Sequence, residues 1–197
     1  MAEHNMELSE QSQPVSEELK ARRAKVFDFL KEHGIEYTTY DHPEAPTIEI
    51  ARQYWRQDGS KHCKNLFFRN HKGNRHYLVV FDSEQSMAIH DMEKMLRQGK
   101  LSFASAERME RCLGLLPGSV SPLGLIHDSR TEELTKEHFP NGHRVKLFLD
   151  QDLRTAERVS FHPCDNTGSV VLSNADFMKF LEIWGGEYEW LDVTAEI

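Results

Sequence analysis

Apolar residues follow two spacings along the chain, one typical of helices and one typical of strands. From Glu17 to His33 they recur near helical intervals and Gly34 follows as a stop, which predicts a first helix. Ile35–Tyr40 alternates instead and predicts a strand. The same reasoning predicts helices at Thr47–Trp55, Asp91–Arg97, Ser105–Leu113 and Ser173–Trp184, the last opened by a capping box of Ser173 and Asp176.

Two extended runs in the middle of the sequence predict a hairpin. Cys63–Arg69 and His76–Phe81 are strand-like, and the turn between them supplies glycine and asparagine where a positive φ is needed. The other predicted strands are Leu101–Ala104, one opening at Leu125-Ile126, Arg144–Asp150, Val159–His162, Ser169–Leu172 and Tyr188–Val193. Because hairpins dominate and helices are interspersed irregularly, we expect an α/β fold with a mixed, largely antiparallel sheet flanked by helices.

The length of 197 residues suits a single domain. We expect residues 1–15 to be a flexible polar lead-in, Ser16 to cap the first helix, and residues 16–197 to form the domain, with an inserted polar segment near 127–143. The apolar runs are far shorter than the roughly 20 residues of a membrane span. The first residues also lack the apolar core of a secretory signal.

The charge of the chain is unevenly distributed. The net value is −8, which on its own argues against a nucleic-acid ligand. The stretch from Gly59 to Phe81, however, carries five Lys or Arg and no acid. Subtracting this +5 from −8 leaves −13 for the remainder. The stretch is either a phosphate-contacting patch on the hairpin or a strand edge protected by cations.

Cysteine usage and missing motifs narrow the chemistry. Cys63, Cys112 and Cys164 are odd in number, far apart and form no C-x-x-C pair, which is typical of reduced thiols in a cytoplasmic protein. Neither a P-loop nor a G-x-G-x-x-G sequence is present, so nucleotide triphosphates and NAD are not supported. We expect no cofactor and no metal. A cysteine nucleophile is a minor alternative, because no cysteine lies in a recognisable nucleophile elbow.

Lys64 has an unusual position within the predicted hairpin. Because side chains alternate along a strand, Lys64 shares a face with Leu66 and Phe68, while Asn65 points to the other face. A lysine among large apolar residues either extends to the rim or lines a pocket, where it can anchor an anion or a carbonyl group. The spacing alone leaves both interpretations open.

An irregular loop at residues 117–124 is the second candidate element. It contains two prolines and two glycines, which suits a backbone that approaches a ligand and presents N–H groups to it, or simply a tight connector. A third candidate is His162, at the end of a predicted strand before Pro163. It is either a residue beside a site or a histidine hydrogen-bonded near the sheet edge.

Several short motifs follow one another in a specific order. They are Lys64-Asn65-Leu66-Phe67, Gly99–Phe103, Leu113-Gly114 with Pro117–Val120, Gly124-Leu125, and Phe161-His162-Pro163 with Asn166. Together they resemble the trans-editing aminoacyl-tRNA deacylases, which are similar to the editing domain inserted in bacterial prolyl-tRNA synthetases (the YbaK-like fold). The resemblance runs from about Val26 to Trp184 and is greater to the Ala-tRNA(Pro) deacylases than to the Cys-tRNA(Pro) branch.

This resemblance implies a partly barrel-like sheet and a hydrolase that releases alanine from mischarged tRNA(Pro). It also implies roles for individual residues. Hydrolysis is implied to proceed by attack of water on the ester, and Lys64 corresponds to the essential active-site lysine. The implied substrate-binding residues are Asn65, Gly118, Ser119, Val120, Ser121, His162 and Asn166, and the implied tRNA contacts are Arg69, Lys72 and Lys100.

The expected partner is therefore the acceptor end of tRNA(Pro) carrying a small amino acid, and a transient association with prolyl-tRNA synthetase stays open. Two alternatives remain for the function. One is a deacylase for Cys-tRNA(Pro) or another small aminoacyl-tRNA. The other is a tRNA-binding module of the same fold without catalysis, although the presence of Lys64 favours an enzyme.

Overall fold

The computed structural model describes residues 17–194; the expected lead-in, the Ser16 cap and the last three residues lie outside this range. The described helices are α1 (Glu17–Glu32), α2 (Ile48–Ala51), α3 (Ile89–Leu96), α4 (Ala106–Leu113), α5 (Asp152–Thr155) and α6 (Asn174–Trp184). The described strands are β1 (Thr38–Asp41), β2 (Lys61–Asn70), β3 (His76–Asp82), β4 (Leu101–Phe103), β5 (Val145–Asp150), β6 (Arg158–Phe161), β7 (Gly168–Ser173) and β8 (Tyr188–Leu191).

The strands form one mixed sheet in the order β1-β7-β6-β2-β3-β5-β8, with β4 paired to β2 beside this path. The pairs β1–β7, β6–β7, β2–β3 and β2–β4 are antiparallel. The pairs β2–β6, β3–β5 and β5–β8 are parallel. The α/β fold with a mixed sheet flanked by helices, expected from the sequence, is therefore confirmed.

Strand β2 joins the two halves of the sheet and leaves part of one edge open. It pairs with β3 along Cys63–Arg69. Its other edge pairs with β6 only at Lys61 and His62, and with β4 only at Phe68–Asn70. Between these pairings, residues 63–67 face no strand on that edge. The sheet therefore splits here, and the split is where a pocket opens.

The two faces of the central strands pack against different helices. Phe67 of β2 lies in a core cluster that also contains residues of α1 and α6, such as Leu30 and Phe177. Phe68 lies in a second cluster with residues of α3, such as Met92. Successive residues of β2 thus enter opposite cores, which follows from the two-residue period of a strand. Both faces are apolar, and the strand is nevertheless open along one edge.

Local signals set most helix ends correctly, with one exception. Thr47 caps α2 by accepting a hydrogen bond from the Ile50 backbone N–H (3.4 Å), as predicted. The helix ends at Ala51, however, and not at Trp55. Arg52 forms its C-cap, and the chain then turns, so Trp55 leaves the helix and faces the open edge of β2.

The prediction of a strand at Leu125-Ile126 is wrong, because residues Pro122–His127 form a 3₁₀ helix. The Ser121 hydroxyl caps it by accepting a hydrogen bond from the Leu123 backbone N–H (3.2 Å). Gly124 packs closely on the end of α4: a Cβ there would lie 2.8 Å from the Leu113 carbonyl oxygen. This helix-to-helix contact, invisible in the local sequence, determines the local structure.

The polar segment 127–143 is held by buried contacts with the rest of the domain. The Phe139 ring lies 6.2 Å from the Tyr77 ring. The His143 Nδ1 lies 2.8 Å from the Asp128 carbonyl oxygen, and the Asp128 carboxylate accepts a hydrogen bond from the Arg144 backbone N–H (2.8 Å). The segment therefore belongs to the folded domain. Within residues 17–194, no helix is long and apolar enough to cross a membrane.

Candidate active site

A pocket of about 320 Å³ opens at the unpaired edge of β2. Strand residues form its floor, the segment from Ala45 through α2 forms one wall, and the loop at Gly118–Val120 forms the opposite wall. The lining side chains are those of Ala45, Pro46, Thr47, Ile48, Ala51, Trp55, Cys63, Lys64, Asn65, Leu66, Val120 and His162. Because the pocket lies over an edge of the sheet, it receives side chains from both faces of β2.

Lys64 is the sole Lys, Arg, Asp or Glu among the residues lining this pocket in the described chain. Its Nζ lies 5.7 Å from the centre of the Phe81 ring, on the face shared with Leu66 and Phe68, as the alternation predicted. The Nζ donates a long hydrogen bond to the Gln85 carbonyl oxygen (3.4 Å), and Lys64 forms no ion pair with a carboxylate of residues 17–194. The ammonium charge is thus available to an anionic ligand.

Asn65 connects strand β2 to the Gly118 loop through one side-chain atom and leaves its other side-chain atom without a partner. Its Nδ2 donates a hydrogen bond to the Val120 carbonyl oxygen (3.0 Å). Its Oδ1 is buried and has no hydrogen-bond partner in the described structure. A buried polar atom without a partner is costly, on the order of 1–3 kcal/mol, so it marks a position where a ligand donor is favoured.

The Gly118 loop approaches the opposite wall closely. Gly118 has φ of +86°, and a Cβ at this position would lie 3.3 Å from the Pro46 carbonyl oxygen. A side chain there would therefore meet both backbone strain and a tight contact. Within residues 17–194, the backbone N–H groups of Gly118 and Val120 have no acceptor. Such N–H groups can stabilise a developing oxyanion.

His162 lies at the end of the pocket as a neutral ring. Burial lowers its pKa, and this outweighs the opposing hydrogen bond with Gly168. Its Nδ1 lies 3.3 Å from the Gly168 carbonyl oxygen, so Nδ1 carries the proton and Nε2 remains an acceptor. A neutral imidazole with a free Nε2 can accept a hydrogen bond from a water molecule in the pocket.

The cysteines do not have the environment of nucleophiles. Cys63 lines the pocket, but burial raises the pKa of its thiol well above the usual range. Burial also raises the pKa of Cys112 to about 11 and that of Cys164 further. Since the thiolate is the reactive form, these environments oppose a cysteine-dependent mechanism. No group of three or more His, Cys, Asp or Glu in residues 17–194 is arranged to hold a metal ion.

Three of the residues implied to bind substrate lie behind the pocket wall. Ser119 is buried, and Ser121 is buried with its hydroxyl donating to the His162 carbonyl oxygen (2.7 Å). Asn166 is also buried and donates from Nδ2 to Glu44 Oε1 (3.1 Å). Ser121 thereby holds the backbone of His162, which lines the pocket. Direct substrate contact by these three residues stays a prediction.

The three implied tRNA contacts lie together, but at the other end of β2. Arg69 is five residues from Lys64, or about 17 Å along a strand. It donates to the Asn70 and His71 carbonyl oxygens (3.1 and 3.2 Å), in the hairpin turn that also carries the exposed Lys72. Lys100 directly precedes the β4 residue paired with Asn70. Their role in tRNA binding stays a prediction.

The wall formed by α2 and the turn after it was not predicted from the sequence. Ile48, Ala51 and Trp55 line the pocket, although they precede Lys64 by 9 to 16 residues in the sequence. The available signal was the run Arg52–Arg56, in which two arginines enclose two aromatic residues. Such interleaving of cations and aromatic rings is typical of nucleic-acid contacts.

Comparison with known proteins identifies the family of the chain. The profile of the family described as the aminoacyl-tRNA editing domain matches residues 42–180, more than half of the chain. The chain belongs to this family. The matched range of the editing domain contains the whole pocket, from Ala45 to His162. As the resemblance implied, the chain is an aminoacyl-tRNA deacylase, an enzyme that hydrolyses the ester between an amino acid and tRNA.

Relatives of this editing domain carry descriptions of the same kind. The prolyl-tRNA editing protein ProX of Acetoanaerobium sticklandii is 33% identical over 164 residues, which cover 83% of this chain and 93% of ProX. The mouse prolyl-tRNA synthetase associated domain-containing protein 1 is 29% identical over 167 residues, 83% of this chain and 91% of that protein. A crystal structure of a candidate trans-editing enzyme for prolyl-tRNA synthetase shares the fold, with a TM-score of 0.58, 20% identity, and coverage of 91% of this chain and 99% of that one.

Proposed function

We propose that this editing domain acts in trans on mischarged tRNA(Pro) and releases alanine from Ala-tRNA(Pro). Membership of the family and the similarity to ProX support hydrolysis of the aminoacyl ester of mischarged tRNA(Pro). The observation that carries the proposal is the pocket itself: a small apolar compartment that holds one cation, Lys64, beside the unpartnered Asn65 Oδ1. An aminoacyl ester has a matching set of groups: a small side chain, an ammonium group and a nearby phosphate.

The amino acid fits the deep, apolar part of the pocket. The side chains of Ile48, Ala51 and Val120 provide walls that suit a methyl group. The ammonium group of alanine can donate to the Asn65 Oδ1. Proline adds a ring, which we expect to clash with these walls, and it has one N–H fewer to donate. Exclusion by clash discriminates more strongly than the loss of a methylene contact, so Pro-tRNA(Pro) should be spared.

The reaction needs only a positioned water and a stabilised oxyanion. The water oxygen bonds to the ester carbonyl carbon, and the carbonyl electron pair moves to its oxygen, which the N–H groups of Gly118 and Val120 stabilise. Collapse of this tetrahedral intermediate breaks the bond between the carbonyl carbon and the ribose oxygen, and the ribose oxygen takes a proton. Alanine leaves as a carboxylate, and one proton is released to solvent. The His162 Nε2 accepts the hydrogen bond that orients the water.

Lys64 anchors the phosphate of the terminal nucleotide in this arrangement. Lys64 and Asn65 lie on opposite faces of β2, and Asn65 is the residue bonded to the oxyanion loop. The ester carbonyl therefore belongs on the Asn65 side and the phosphate on the Lys64 side. An ammonium suits a phosphate as a point charge and needs no fixed angle.

Hydrolysis of a panel of charged tRNAs tests the proposal. Ala-, Cys-, Ser- and Pro-tRNA(Pro), each labelled on the amino acid, are incubated with excess protein, and the remaining ester is followed. We expect the alanine ester to be cleaved fastest and the proline ester about 100-fold or more slowly. If the cysteine ester is cleaved faster, Cys-tRNA(Pro) and not Ala-tRNA(Pro) is the substrate. If all four esters stay intact while the protein binds the tRNA, the protein is a tRNA-binding module and not an enzyme.

A further inference from the structure

A second groove adjoins the pocket, and we propose that it binds the two single-stranded nucleotides that precede the aminoacylated nucleotide of the substrate. The groove has a volume of about 480 Å³ and is lined chiefly by Arg52, Trp55, Arg56, Lys61 and His62. The inference rests on the proposed function, since it concerns the same substrate. It assigns this groove to RNA, a role separate from that of the hairpin turn at the other end of β2.

Position is the first argument. Trp55 lines both the pocket and the groove, and Arg52 follows directly after the pocket residue Ala51. The groove also includes Glu84, which precedes the Gln85 carbonyl that holds Lys64. The groove thus lies on the Lys64 side of the pocket. A chain whose terminal phosphate is at Lys64 must continue in this direction.

The aromatic rings around the groove are already arranged as stacks. The rings of Trp55 and His62 are parallel within 3°, with centres 4.3 Å apart. Tyr54 precedes Trp55 in the sequence and lies outside the groove lining; its ring is parallel to that of His42 within 4°, with centres 5.3 Å apart, and Tyr54 is 37% exposed. Nucleobases stack on such rings with about 1–3 kcal/mol per base, whatever their sequence. We place one base on the Trp55–His62 stack in the groove and the second on the exposed Tyr54 ring next to it in the sequence.

The charges around the groove suit phosphodiester groups. The groove is lined by three cations, Arg52, Arg56 and Lys61, and by two acids, Asp82 and Glu84. A third acid, Asp58, lies in the same stretch of the chain. The Asp58 carboxylate already accepts hydrogen bonds from Ser60 (2.6 Å to its hydroxyl) and from a tyrosine. Lys61 is paired with Asp82 (2.5 Å), which leaves two arginines and Glu84, a net charge of +1 for the lining.

Arg52 and Arg56 are both exposed and held in place without being neutralised. Arg52 donates to the Ser83 carbonyl oxygen (2.9 Å). The Arg56 guanidinium lies 3.9 Å from the centre of the Tyr40 ring. Neither forms an ion pair with a carboxylate in the described part of the chain. Guanidinium groups fixed by a carbonyl and a ring keep their full charge and can bind phosphate bidentately.

Binding of uncharged RNA tests the groove without requiring hydrolysis. The full-length protein is titrated into a labelled single-stranded oligoribonucleotide ending in the two penultimate nucleotides and the terminal adenosine. Trp55→Ala should raise Kd by about 5- to 150-fold per stacked base lost, whereas Trp55→Phe should restore much of the affinity. Arg52→Gln with Arg56→Gln should lower the slope of log Kd against log salt by about 1.4. Unchanged affinity and slope in these variants would overturn the proposal.

Kinetics on two substrates separate this inference from the proposed function. One substrate is alanine esterified to the terminal trinucleotide, and the other is alanine esterified to adenosine alone. We expect Arg52→Gln with Arg56→Gln to reduce the ratio of their kcat/KM values about 10-fold or more. The matched double variant Lys25→Gln with Lys31→Gln, at exposed positions of α1, should leave that ratio unchanged. If the ratio is the same in both double variants, the proposed role of the groove is refuted. If the unmodified protein hydrolyses neither ester, the proposed function is refuted, and the binding experiment still tests the groove.

Discussion

The clearest prediction concerns replacement of Lys64 by methionine, which removes the ammonium and keeps the shape. The Lys64 side chain is half-buried over Phe81 and makes one long hydrogen bond, 3.4 Å, to the Gln85 carbonyl. It has no carboxylate partner whose charge would be stranded. A thioether also packs well against an aromatic ring. We therefore expect the free energy of unfolding to change by about 1 kcal/mol or less.

The loss of activity should be much larger. A hydrogen bond between a charged donor and a charged acceptor contributes about 1.5–3 kcal/mol net. If Lys64 holds the terminal phosphate, kcat/KM for Ala-tRNA(Pro) should fall by about 10- to 150-fold, at about 1.4 kcal/mol per factor of ten. Lys64→Arg should recover part of this loss, because it keeps the charge on a bulkier group.

Two assays on the same preparations decide the matter. Urea unfolding measures stability, and single-turnover deacylation of labelled Ala-tRNA(Pro) measures kcat/KM. Lys179→Met is the matched control, because Lys179 is exposed on α6 and also donates one hydrogen bond, to the Gly34 carbonyl (2.8 Å). Unaltered kcat/KM in Lys64→Met would refute the role of the ammonium. Equal losses in both variants would point to a general effect of charge.

Other changes test separate parts of the reasoning. Gly118→Ala should cost about 1–2 kcal/mol in thermal unfolding, because of the positive φ and the contact with Pro46, and should slow hydrolysis; full stability would contradict the strain. His76 has its pKa lowered to about 4 by burial and by Arg108, so the unfolded chain binds its proton first. Stability should therefore fall by up to about 3 kcal/mol between pH 6.5 and pH 4, and His76→Phe should show a shallower fall in urea titrations. Cys63→Ser should keep most of the hydrolytic activity; its loss would revive a thiol mechanism.

The sequence predicted a helix or strand correctly where the contact that determines it joins residues close together in the sequence. The capping box of Ser173 and Asp176 begins α6 as predicted, with the Asp176 backbone N–H donating to the Ser173 hydroxyl (3.0 Å). The hairpin of β2 and β3 formed around its glycine turn. The 3₁₀ helix at Pro122–His127 escaped prediction because its apolar run can suit a strand, and packing of Gly124 on α4 decides otherwise.

The candidate site likewise has features that the sequence predicted and features that only the tertiary structure shows. Strand alternation placed Lys64 on the apolar face and Asn65 on the other, and the structure agrees. Alternation could not show that both line one pocket, because that depends on which partners β2 lacks along one edge. It also could not bring Trp55 to the pocket, since the end of α2 at Ala51 and the following turn set its direction.

The sequence by itself thus determined the fold class, the family and the identity of the candidate lysine, because each depends on residue types in a fixed order. The tertiary structure alone decided what surrounds that lysine. Strands far apart in sequence pair around β2 and leave residues 63–67 open, and this gap forms the pocket. The gap arises from pairing over long sequence separations, which no local spacing encodes.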